Sequence, residues 1–108
     1  MADNTYHLRY LPLFYDDLYN AAIYIRDTLG SPKAANDLID ETEKAILQRL
    51  PFCESFEPYH SKKERKQLYY RIYVKNYIVY YVVITDKNNN KTMEIRRFLS
   101  IRQNRNNI

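Results

Sequence analysis

The chain has 108 residues, 45% hydrophobic and 28% charged, which is enough for one folded core and leaves no length for a second. It holds one cysteine, one glycine, 12 tyrosines and no tryptophan, so an internal disulfide and the glycine-rich loops that cradle phosphate are excluded. Charge is unevenly spread: residues 1 to 60 carry 5 Lys/Arg against 10 Asp/Glu, a balance of −5, whereas residues 61 to 108 carry 12 against 3, a balance of +9.

So basic a second half points to a polyanionic target or an acidic protein partner, because steering and phosphate neutralisation scale with local charge. No apolar run reaches the roughly 20 residues of a membrane span, and Met1 to Arg9 lacks a basic segment leading into an apolar stretch. A cytoplasmic protein with no membrane partner is expected. The lone Cys53 and the two histidines show no metal-ligand spacing, so neither a metal nor another cofactor is expected, and no small-molecule ligand.

Tyr6 to Tyr10 alternates large apolar and polar residues with period two and predicts a short strand. Pro12 suits the first turn of a helix, and Phe14, Leu18, Ala21, Ala22, Ile25 and Leu29 then recur at steps of three and four. This amphipathic helix ends at Gly30, where a helix terminus favours a left-handed residue. Ser31-Pro32 reads as an N-cap and first-turn pair. It opens a second helix whose stripe is Ala35, Leu38, Ile39, Thr42, Ala45, Ile46 and Leu50, stopped by Pro51. So short a connection predicts an antiparallel helical hairpin.

Phe52 to Lys66 has no clean period and reads as a loop carrying the basic cluster Lys62, Lys63, Arg65 and Lys66. Leu68 to Val74 and Tyr77 to Ile84 are dense in Tyr, Val and Ile and predict two strands. Lys75-Asn76 between them predicts a two-residue turn, with Asn76 taking the positive φ. Asp86 to Asn90 predicts a second turn, and Thr92 to Ser100 a last strand. The tail from Ile101 is polar and basic.

Strand, helix, helix and three meandering strands imply an α+β fold, with the helical hairpin on one face of a mostly antiparallel four-stranded sheet. In the third strand Tyr77, Val79, Tyr81 and Val83 face one way and Ile78, Tyr80, Val82 and Ile84 the other, so both faces are apolar. The helices cover one face only. The other is expected to stand open and to receive a partner. Period two places Tyr69, Arg71 and Tyr73 on one face of the second strand, and Arg96, Phe98, Ser100 and Arg102 on one face of the last.

The stretch Arg71-Ile72-Tyr73-Val74-Lys75-Asn76-Tyr77-Ile78-Val79-Tyr80-Tyr81, with Met93 to Asn104 after it, resembles the signature of the RelE/ParE toxins. Ser31-Pro32-Lys33-Ala34-Ala35, the stripe to Leu50 and Pro51-Phe52 are similar to the second helix of that family and the proline that follows it. The resemblance spans nearly the whole chain, read as one domain over residues 1–108. It implies the toxin half of a type II toxin–antitoxin system, neutralised by a cognate antitoxin segment that folds on binding.

Members of that family either cut messenger RNA on the ribosome or poison DNA gyrase, and fold alone does not separate the two. Ribonuclease chemistry would use cations on the scissile phosphate, for which Arg71 and Arg102 stand at the matching positions. Two departures weigh against it: Ile78 stands where such nucleases carry an arginine, and Ile101-Arg102-Gln103 keeps only one arginine of the closing basic motif. The resemblance therefore leaves three readings: an mRNA endonuclease, a gyrase inhibitor, or a catalytically degenerate antitoxin-binding protein. Lys62, Lys63, Arg65, Lys66, Tyr69, Tyr73, Arg96 and Arg105 are the candidate contacts to RNA or another target. Ile78, Tyr80, Val82 and Phe98 are the candidate antitoxin contacts.

Overall fold

A computed structural model describes residues 5–58 and 68–102. In chain order it contains strand β1 (His7–Tyr10), helix α1 (Pro12–Ile23), a π turn (Tyr24–Thr28) and helix α2 (Pro32–Arg49). A 3-10 turn (Leu50–Phe52) follows, then strands β2 (Tyr70–Val74), β3 (Tyr77–Thr85) and β4 (Lys91–Ser100). The sheet order is β1-β4-β3-β2; β1 runs parallel to β4 and the other pairings are antiparallel. The expected α+β architecture is therefore present, with both helices on one face of the sheet.

Local chemistry explains the helical hairpin. Pro12 begins α1, and Phe14, Leu18 and Ala22 are its buried positions. The periodic stripe extends to Leu29, but the π turn inserts a residue and rotates the next positions by about 100°. Leu29 is consequently 61% exposed rather than part of the core. Gly30 takes φ +69° as the left-handed residue at the end of this helical run. The Ser31 hydroxyl then accepts the Ala34 amide at 3.2 Å, capping α2, whose buried positions are Ala35, Leu38, Thr42 and Ile46.

The core lies between this hairpin and the inner face of the sheet. Phe14, Leu18, Leu38 and Ile46 pack there against Ile72, Val74, Val79, Tyr81, Met93, Ile95 and Phe98. At the β2–β3 turn Lys75, not Asn76, has the positive φ, at 53°. The β3–β4 turn is closed by the Asp86 carboxylate, which accepts the amides of Asn88 and Asn90 at 2.8 and 2.9 Å, while Asn89 is left-handed. Among the described residues no helix is long and apolar enough to cross a membrane.

One irregularity sets the faces of the sheet. Tyr80 pairs with Arg97 but Tyr81 pairs with Ile95, so Arg96 is an extra residue in β4. Strict alternation would set Phe98 outward with Arg96. The bulge turns it inward instead, where its ring stacks on Tyr77 at 4.8 Å and meets Phe14 edge-on at 6.1 Å.

Candidate functional site: the outer face of the sheet

β2 is an edge strand, and alternation sends Tyr70, Ile72 and Val74 into the core and Tyr69, Arg71 and Tyr73 to the outer face. Arg71 stands opposite Tyr80 and Tyr73 opposite Ile78. The Arg71 guanidinium lies 5.7 Å from the centre of the Tyr73 ring, and Tyr73 is 57% exposed. A cation beside an accessible aromatic face can hold a phosphate while the ring stacks a base.

The middle of the outer face is not open. Ile78, Tyr80 and Val82 are fully buried and Leu99 nearly so, in a second apolar cluster with Tyr69 and the partly buried Ile84. The expected uncovered greasy face is thus a closed packing layer within this chain. Phe98, also expected there, belongs to the helix-side core for the reason given by the bulge.

Beside that layer sits a charged cluster. The Glu94 carboxylate is buried and accepts from Arg9 Nε at 2.9 Å and from Arg96 Nε at 2.8 Å. Arg96 also donates to the Tyr69 hydroxyl at 3.1 Å, with its guanidinium 5.7 Å from that ring. Burial works to raise the Glu94 pKa, but the hydrogen bonds and charges of the two arginines outweigh it and hold the carboxyl below its ordinary range. One carboxylate shared by two guanidiniums leaves the cluster with a net positive charge, and of the two cations Arg9 is the more open to an anion, its side chain 55% exposed against 28% for Arg96.

Arg71 and Arg102 do not converge. Arg71 lies in the row Arg71–Tyr80–Arg97, whereas Arg102 follows Ser100, which pairs with Tyr77 beside the hairpin turn. The step from Arg97 to Ser100 alone is about 10 Å along the strand. Arg102 is exposed at the end of β4. Lys62, Lys63, Arg65, Lys66 and Arg105 lie outside the described residues.

Several polar groups that fix this surface carry no sequence signal. Asp17 of α1 grips Arg97 through two hydrogen bonds, at 2.7 and 3.1 Å, and accepts the Phe98 amide at 3.0 Å, pinning the helix to the bulge. Arg49 donates to the Arg71 carbonyl and to the Tyr81 hydroxyl, at 3.1 and 3.0 Å, and lies 3.6 Å over the Phe56 ring. The Tyr81 hydroxyl donates in turn to the Cys53 carbonyl at 2.8 Å. These contacts order the first part of a segment whose lack of periodicity suggested a plain loop. Burial pushes the Cys53 thiol up to about 11 and the Tyr81 phenol up to about 12, which unfits both for nucleophile or base at neutral pH. Among the described residues no three His, Cys, Asp or Glu side chains gather as a metal-binding set.

The chain matches no protein-family model and no curated protein.

Proposed function

We propose that this chain is the toxin of a type II toxin–antitoxin pair of the RelE/ParE kind, acting on messenger RNA at the ribosome and neutralised by a cognate antitoxin. The reading rests on the likeness of its sequence to that family. The observation that carries the site is the pair Arg71 and Tyr73, a cation and an exposed ring side by side on an edge strand. Single-stranded RNA is held by that combination, phosphate on the cation and base on the ring. An antitoxin segment would meet this surface at the exposed edge near Tyr73 rather than at the buried Ile78, Tyr80 and Val82.

A second reading, inhibition of DNA gyrase by binding alone, is favoured by one observation. Phosphodiester cleavage needs several groups on one phosphate, and Arg71 and Arg102 stand in different rows of the sheet. Binding needs no such convergence.

Induced expression in a bacterial host, with transcript ends mapped and plasmid supercoiling followed in the same culture, tests both. Codon-aligned cuts support the first reading, and lost supercoiling with intact transcripts supports the second. Arg71→Ala and Tyr73→Ala are each expected to relieve growth arrest at least tenfold while leaving the thermal midpoint within a few degrees of the parent. Full toxicity in both variants removes the site assignment, and absence of growth arrest from the parent chain removes the toxin reading.

A further inference from the structure

On the helical side of the molecule a groove of about 170 Å³ opens between α1 and α2 beside the end of β1. Its walls include Tyr10, Phe14, Tyr15 and Tyr19, with Thr42 and Glu43 supplying the polar groups. The rings form a continuous array: Tyr10 and Tyr15 are 5.5 Å apart, and Tyr15 stacks on Tyr19 at 6.5 Å. Tyr15 is 42% and Tyr19 54% exposed, so aromatic surface is available at the mouth.

Two polar features mark this as more than a crease between helices. Thr42 is 0% exposed, lines the groove, and its hydroxyl has no hydrogen-bond partner. A buried hydroxyl left unpaired is costly and uncommon, and a ligand that parts the groove wall far enough to reach it would satisfy it. Glu43, exposed at the rim, makes no ion pair with another described residue. Glu43 lines the groove together with Tyr10, whose phenol is pushed up chiefly by burial and then by the Glu43 carboxylate. Asp40 shares an adjoining hollow with Glu43.

We propose that this groove is a docking slot for a single arginine side chain presented by a partner polypeptide. Aromatic faces attract a guanidinium and stack on its plane, the Glu43 carboxylate can receive its paired N–H donors, and the Thr42 hydroxyl can accept one more. Its volume suits one long side chain and not a helix. An anion is repelled by Glu43 and Asp40, and a purely apolar side chain leaves the Thr42 hydroxyl unpaired. The slot lies across the sheet from Arg71, so it is independent of the proposed function and can be filled while the outer face is engaged.

The test is a titration of the full chain, followed by amide NMR, with acetyl-Leu-Arg-Leu-amide and its neutral citrulline and norleucine counterparts. The arginine peptide is expected to move the signals of Tyr10, Tyr15, Thr42 and Glu43 and to bind about tenfold more tightly than the citrulline peptide. Glu43→Gln, an exposed change that leaves the core intact, should weaken the arginine peptide about fivefold and leave the citrulline peptide unchanged. Thr42→Val should weaken arginine and improve norleucine. Norleucine binding as tight as arginine marks an apolar anchor site and overturns the proposal. It is equally overturned by shifts centred elsewhere, by no saturable shift, or by groove signals that move with protein concentration alone, which would assign the groove to a second copy of the chain.

Discussion

Glu94 joins a near neighbour in sequence to a distant one. It is 5% exposed and held between Arg9, 85 positions away, and Arg96. A carboxyl held below its ordinary range stabilises the fold above its unfolded pKa, near 4, and that contribution is lost as pH falls through its lower folded value. Glu54 acts in the same direction, pulled down first by its hydrogen bond from Lys91. Glu94→Gln is expected to cost about 2 kcal/mol at pH 7, less than a wholly buried pair because Arg9 is half exposed. In urea titrations the gap between parent and variant should narrow below about pH 4. A gap that stays constant with pH would show that the ion pairs do not set it. Strand alternation did reveal Arg71 and Tyr73 as outer-face neighbours, because those two lie on one short regular strand. The pairing of Glu94 with Arg9 needed the neighbouring strand to become visible.

At the scale of the element, the helical hairpin was the most legible part, since its punctuation is chemical. Gly30 has the left-handed φ that its position predicted, and nothing lies within 4 Å of where a Cβ would be built. Gly30→Ala should therefore cost only the backbone conformation, about 1 kcal/mol, and Ser31→Ala about 1 kcal/mol for the lost cap. Both are read as shifts of the denaturation midpoint with an unchanged slope. A neutral Gly30→Ala would mean that the turn relaxes out of the left-handed region. The π turn before it and the bulge at Arg96 were illegible, because each is a one-residue insertion that leaves composition and average period almost unchanged. Their effects are large all the same, exposing Leu29 and burying Phe98.

For the whole molecule, the two sheet faces differ from the simple picture of one covered and one open. Both hold buried clusters, and among the described residues the β2 edge, the Arg9–Glu94–Arg96 cluster and the groove between the helices remain open to solvent. Phe98→Ala should cost about 3 to 5 kcal/mol, a large share of the stability of a domain this size. Cys53, fully buried, reports it: thiol labelling in native buffer should be slow in the parent and in Arg71→Ala, and markedly faster in Phe98→Ala. Equal labelling rates would show that Phe98 does not hold the core. The amino-acid sequence by itself determined the order of the elements, the helix caps, the places of the hairpin turns and the two-sided apolar character of β3, since each depends on neighbours a few positions apart. The tertiary structure alone decided which faces are sealed, which arginines are already paired and where Phe98 points. Those outcomes depend on register and on contacts between residues up to 85 positions apart, and one inserted residue in a strand is enough to reverse them.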